Sequence, residues 1–152
     1  MLPVLLRYFI FCLISSVLFA LLEIQIEGKD GWAEKLPTWR LKLKFLDSIP
    51  GLQKPITGYH IYFFCLLFFL IQMPFLFMKW DLHTELIILS AYFFITRLED
   101  FLWFVFNPNY GIKKFKKEYI SWHPDWFGPI PTQYLYSIII WITLFLIGFG
   151  II

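Results

Sequence analysis

The chain has 152 residues, of which 59% are hydrophobic and 22% aromatic, while 16% are charged and the formal net charge is +2. Soluble domains typically carry about 25% charged residues, so this composition, with a mean hydropathy of +0.68, argues against a soluble globular domain. We expect membrane lipids, and no nucleic acid, as partners.

Four apolar runs are long enough to cross a bilayer, which takes about 20 residues in a helix. They cover approximately residues 3–26, 57–78, 84–106 and 134–152. The turn between the second and third runs, Lys79-Trp80-Asp81, is so short that these two spans must be antiparallel neighbours. The sequence therefore predicts an all-α integral membrane protein, a single transmembrane domain over residues 1–152 with four helices in an antiparallel bundle.

The two longer connections, approximately residues 28–56 and 107–134, are polar and contain Trp residues typical of the headgroup layer. Together they carry ten Lys and Arg residues, whereas the opposite side has only Arg7 and Lys79. The positive-inside rule then predicts a multi-pass protein with two cytoplasmic interfacial loops and both termini outside. Four lysines of the second loop are predicted to contact anionic lipid headgroups: Lys113, Lys114, Lys116 and Lys117.

Charged residues interrupt the third run. Arg97, Glu99 and Asp100 lie close together in a segment that is otherwise almost purely apolar. Each such residue costs about 2.5–3.5 kcal/mol at the centre of a transmembrane helix, so this helix face must point into the protein. Arg97 can reach Asp100 at the i+3 position. The adjacent carboxylates repel each other unless a proton, an arginine or a metal neutralises them.

Further polar residues are expected at a similar depth. Glu23 and Glu27 end the first span, His60 begins the second, and His123 lies in the loop after the third. Carboxylates and imidazoles bind divalent transition metals, although the Glu-x-x-His spacing of two-metal helical bundles is absent. We expect Glu23, Glu99, Asp100 and His60 to border one cavity, with Trp103 in its wall. The candidate ligands for iron, zinc or manganese are Glu23, Glu27, His60, Glu99, Asp100 and His123.

The predicted function is that of an enzyme acting on a lipid or another membrane-soluble substrate. A bound metal would activate water or polarise a phosphoryl or carbonyl oxygen. The candidate catalytic residues are Glu99, Asp100, Arg97 and His123, with Arg97 as the partner of an anionic headgroup. Two alternatives stay open. The carboxylates could form the site of a small ion or metal transporter, for which four spans are few unless the protein is a homo-oligomer. They could also belong to a structural ion-pair network in a non-catalytic membrane subunit.

Overall fold

The structure is a computed structural model and describes residues 2–152. Four α-helices make up most of this part of the chain. They are α1 (Leu2–Glu27), α2 (Gly58–Ile71), α3 (Leu82–Phe106) and α4 (Thr132–Gly148). Three short 3-10 helices cover Lys44–Ser48, Met73–Leu76 and Ile112–Lys114. Two antiparallel ribbons pair β1 (Arg40–Leu41) with β2 (Ile56–Thr57), and β3 (Trp126–Phe127) with β4 (Ile130–Pro131). The prediction of a mostly helical chain with four helices is confirmed.

Among the described helices, only α1 is both long and apolar enough to cross a membrane. It has 26 residues, and its most apolar stretch has a mean hydropathy of 2.3. Helices α2 and α4 have 14 and 17 residues, fewer than the approximately 20 that a bilayer requires. Helix α3 is long enough, with 25 residues, but it carries the charged side chains. The lengths and compositions of the helices therefore do not support the prediction of four transmembrane helices or that of a multi-pass topology.

The second apolar run is divided because of a proline. Helix α2 ends at Ile71, and the chain continues as the 3-10 helix Met73–Leu76. Pro74 has no backbone N–H to donate and its ring clashes with the preceding turn, so an α-helix cannot continue through it undisturbed. The run that the sequence presents as one span from residue 57 to 78 is thus two shorter segments.

Contacts between the ends of the helices show in which direction α1, α3 and α4 run. Asn107 Nδ2 donates to the Gly28 carbonyl at 2.7 Å, which joins the end of α1 to the end of α3. At the other end of the bundle, a Cβ built on Gly148 would lie 2.9 Å from the Ile87 backbone nitrogen, so α4 packs its last turn against the start of α3. Helices α1 and α3 therefore run in one direction and α4 in the opposite one.

The half of the bundle away from the long loops has an apolar core. Seven buried residues form one cluster: Tyr8, Cys12, Leu67, Ile71, Ile88, Ala91 and Ile95. The Tyr8 hydroxyl shares a hydrogen bond of 2.9 Å with Ser90 and accepts one of 3.1 Å from the Trp141 indole. This cluster contains no carboxylate and no histidine, and the buried carboxylates and histidines lie at the opposite end of the bundle.

The two long connections, residues 28–56 and 107–131, pack against each other and form what we name the loop cap. Asp125 Oδ2 accepts hydrogen bonds from the Gly51 backbone N–H at 2.8 Å and from Gln53 Nε2 at 2.6 Å. Gly31 lies so close to the Trp122 indole that no Cβ could be added there. The loop cap covers the helix ends where the polar residues lie.

Candidate metal centre

Helices α1 and α2 bring three buried ligand candidates together. Glu23 and Glu27 lie one turn apart near the end of α1, and His60 lies in the first turn of α2. Their exposed fractions are 5%, 8% and 6%. His60 Nε2 is 3.6 Å from Glu23 Oε1 and 3.6 Å from Glu27 Oε1. One ligand atom of each residue lies within 4.8 Å of the other two, so the three form a compact group, here named the triad.

The separations within the triad are informative because they are too long for hydrogen bonds. Two ligands that bind one metal at about 2.1 Å with tetrahedral geometry lie about 3.4 Å apart. The imidazole is therefore spaced from each carboxylate as two ligands of a shared ion would be, and the two carboxylates lie within 4.8 Å of each other. Glu23 Oε1 is buried without a hydrogen-bond partner, and an unsatisfied buried group of this kind is costly unless an ion or a proton meets it.

Thr57 orients the imidazole of the triad. Its Oγ1 accepts a hydrogen bond of 3.2 Å from the His60 backbone N–H and so caps the start of α2. The same oxygen lies 2.6 Å from His60 Nδ1. When Nδ1 donates to Thr57, the Nε2 lone pair faces Glu23 and Glu27, which is the tautomer that a metal ligand requires.

A turn in the loop cap holds Glu27 and covers His60. Trp32 and Ala33 have φ values of 56° and 52°, a left-handed conformation that is uncommon for residues other than glycine. The turn directs the Ala33 backbone N–H to Glu27 Oε1 and stacks the Trp32 indole on His60, with ring centroids 3.9 Å apart. Such backbone strain persists where the surroundings impose it and is concentrated at functional sites. No pattern in the sequence indicates this turn.

Glu99 of α3 lies beside the triad but does not belong to it. Only 2% of the residue is exposed, and its Oε1 has no hydrogen-bond partner. Its carboxyl group interacts with that of Glu23, while the group of mutually close ligand atoms consists of Glu23, Glu27 and His60. The structure thus places Glu99 next to one of the triad residues.

Asp100 is the centre of a second polar group. The Tyr134 hydroxyl donates to its Oδ2, Arg97 Nη1 lies 3.6 Å from the same oxygen, and His123 Nε2 lies 3.4 Å from it. His123 is buried, and its Nδ1 contacts the Gln133 side-chain amide. Burial lowers the pKa of His123 below its usual value. Arg97 and His123, which the sequence singled out together with Asp100, therefore both lie against the Asp100 carboxylate.

A small cavity connects the two groups. Its volume is about 10 Å³, which is close to the space that one water molecule needs. The lining consists of Glu23, Glu27, Gly31, Trp32, His60, Asp100, Trp103, Phe104 and Trp122. The expected cavity with Glu23, His60, Asp100 and Trp103 is present, whereas Glu99 is not part of its lining.

Carboxylates outnumber cations in the region of this cavity. Four carboxylates face two cations, Arg97 and Lys54, whose charges act on the carboxylates of this region. Lys54 Nζ lies 3.3 Å from the centroid of the Trp32 ring, and burial lowers the pKa of Lys54 to about 7. With all carboxylates ionised, the cluster carries an excess of at least two negative charges, which either one divalent cation or two bound protons would neutralise.

The contact between Thr57 and His60 leads to a first prediction. Thr57→Val should lower the affinity for a divalent metal by about tenfold, because partners that orient a metal ligand contribute 10–100-fold. The loss of the helix cap should also lower the free energy of unfolding by about 1 kcal/mol. Metal titration and thermal unfolding in detergent measure both effects, and Thr57→Ser, which keeps the hydroxyl, is the control. Equal metal affinity in both variants would show that His60 is oriented by other contacts.

Comparisons with known proteins do not assign this site. No family model, no curated protein and no solved structure matches the chain.

Proposed function

We propose that the protein lies in a membrane and that its cavity binds one divalent transition metal ion through Glu23, Glu27 and His60. The observation that carries this proposal is the spacing of the triad, in which both carboxylates lie 3.6 Å from His60 Nε2. A mixed set of carboxylate and imidazole ligands suits iron, zinc or manganese. Three protein ligands leave a position for water or substrate, as in catalytic zinc sites.

The outer surface of the helices supports a membrane location. Large apolar side chains are exposed along α2 and α4, for example Leu66 at 57%, Phe69 at 70% and Ile139 at 63%. Soluble monomers rarely expose contiguous apolar patches larger than a few hundred Å². We propose that all four helices lie in the bilayer and that the loop cap lies at one membrane surface, where its lysines would contact anionic headgroups.

The distribution of Lys and Arg gives an orientation that can be tested. In a Cys65→Ser background, Lys42→Cys and Lys116→Cys should be labelled from the cytoplasmic side, because both positions are exposed in the loop cap and basic loops stay in the cytoplasm. Ile152→Cys should react from outside. Labelling of the Lys116→Cys variant by a membrane-impermeant reagent in intact cells would contradict this orientation.

We propose further that the metal acts on a membrane-soluble substrate, where it activates water or polarises a phosphoryl or carbonyl oxygen. Glu99 is the candidate general base, because it is buried next to Glu23 with an oxygen free of hydrogen bonds. The second polar group consists of Asp100, His123 and Arg97. It would fix the positions of the charged side chains around the metal centre. The transporter alternative is less well supported, because the core of the opposite half of the bundle is apolar.

The proposed activity can be tested on the purified protein in detergent with a mixture of membrane lipids as substrates. Mass spectrometry should detect conversion of a lipid when iron, zinc or manganese is present, none after treatment with a chelator, and recovery when the metal is restored. Conversion that continues unchanged in the metal-free protein would contradict a metal-dependent reaction.

A further inference from the structure

The cavity of the metal centre is too small for a substrate, but it adjoins a large groove in the loop cap. The groove has a volume of about 360 Å³, within the usual range for ligand sites, whereas the cavity has about 10 Å³. Gly31, Trp32 and Trp122 line both. A substrate larger than water can therefore approach the triad only from such a neighbouring space. We name this space the loop groove.

Two cations line the loop groove without a carboxylate partner. Lys54 lies over the Trp32 ring and is not in any of the ion pairs found among residues 2–152. Arg40 donates hydrogen bonds to backbone carbonyls, among them Thr38 at 3.2 Å, and these fix its guanidinium without neutralising it. Glu34 is the one carboxylate in the groove lining. With Lys54 protonated, the groove lining therefore carries one more positive than negative charge.

The walls of the loop groove show how a ligand would lie relative to the metal. Lys54 Nζ is 3.3 Å from the Trp32 ring centroid, and the His60 ring is 3.9 Å from it. Because both are so close to the ring, they must occupy opposite faces of the indole. An anion bound by Lys54 would thus be separated from the triad by the thickness of one aromatic ring.

We infer that the loop groove binds the phosphate group of a phosphate ester, with Lys54 and Arg40 as its charge partners and Trp32 between the phosphate and the metal centre. This inference rests on the proposed function, since it names the substrate class of that centre. Lysine and arginine are common phosphate binders, and Trp32 and Trp122 offer apolar surface to the remainder of the ester. The ester could be a lipid headgroup or a soluble compound.

Calorimetric titration of the full chain in an uncharged detergent tests the inference. The three probes are inorganic phosphate, glycerol 3-phosphate and a short-chain phosphatidic acid. We expect Lys54→Gln and Lys54→Met to weaken binding by about tenfold or more, because a hydrogen bond to a charged group is lost. Lys54→Arg should retain binding. Lys42→Gln, which removes an exposed lysine from the same loop cap, should bind like the wild type.

The two possible sources of the phosphate give different results. Phosphatidic acid that binds at least tenfold more tightly than glycerol 3-phosphate would indicate a lipid headgroup, and equal affinities would indicate a soluble ester; either result supports the phosphate site. Absence of binding by all three probes would overturn it, as would equal losses in the Lys54→Met and Lys42→Gln variants. Lys54→Met keeps the aliphatic stem over Trp32, so that packing is preserved.

The proposals for the loop groove and for the metal centre can be tested independently of each other. Glu27→Gln, which we expect to lose the metal, should still bind phosphate, because neither Lys54 nor Arg40 is changed. Phosphate binding to a wild type that takes up no metal would contradict the metal centre and leave the phosphate site standing. A full complement of metal without phosphate binding would contradict the loop groove alone.

Discussion

Glu27→Gln is expected to reduce the affinity for a divalent transition metal by more than about 100-fold while the fold is retained. The substitution removes one of three ligand charges, and even residues that only orient a ligand contribute 10–100-fold. The amide oxygen can still accept the hydrogen bond from Ala33. Removal of one charge from four clustered carboxylates also relieves repulsion, so the metal-free variant should unfold at the same or a higher temperature than the metal-free wild type.

The matched control is Glu118→Gln, because Glu118 is an exposed glutamate of the loop cap away from the triad. Metal titration followed by elemental analysis should give wild-type affinity and stoichiometry for this control. Wild-type affinity in the Glu27→Gln variant itself would show that Glu27 is not a ligand and that the spacing of the triad has another cause.

Asp100→Asn is expected to have its main effect on stability. Asp100 Oδ2 accepts from Tyr134 and lies 3.6 Å from Arg97 and 3.4 Å from His123, so the amide would leave the guanidinium without a counter-charge. Removal of one partner of a buried pair costs about 3–5 kcal/mol. Because the Arg97 and Asp100 side chains are each 24% exposed, we expect the lower end, about 3 kcal/mol, measured by unfolding in detergent.

Asp47→Asn provides the comparison for this variant. Asp47 pairs with Lys42 at 3.5 Å, but its side chain is 39% exposed, and exposed pairs contribute about 0–1 kcal/mol. Metal affinity should fall less in Asp100→Asn than in Glu27→Gln. Loss of the metal together with wild-type stability would instead make Asp100 a ligand, which is the role that the sequence alone suggested.

The common position of the polar residues could be predicted because it follows from simple geometry. Glu23 ends the first apolar run, His60 begins the second, and Asp100 lies near the end of the third. In a bundle of sequential helices, these ends meet on one side. The cost of exposing charges to hydrocarbon then requires that they face inward, and the structure places all three around one cavity.

The extent of the helices could not be predicted from hydropathy alone. The run from residue 57 to 78 is predominantly apolar, but Pro74 divides it, and α2 has only 14 residues. The last run extends to residue 152, whereas α4 ends at Gly148, two residues before Gly150 with its φ of 63°. Hydropathy measures the polarity of a segment, and it does not show where backbone hydrogen bonding stops.

The contacts that the loop cap makes with the triad could not be predicted from the sequence either. Trp32 reaches His60, and Ala33 reaches Glu27, only because two consecutive residues adopt left-handed backbone conformations. Residues other than glycine rarely do so, and no local pattern indicates it. The position of Lys54 over Trp32 likewise depends on how the first long connection folds back on itself, so these neighbours of the triad become visible only in three dimensions.

The most direct test of the metal centre is the metal content of the purified wild type, determined by elemental analysis and followed by X-ray absorption at the edge of the metal found. We expect about one iron, zinc or manganese ion per chain, bound only by oxygen and nitrogen ligands at about 2.0–2.2 Å. Wild-type protein that is isolated without metal and takes up none of the three when they are supplied would contradict the metal centre.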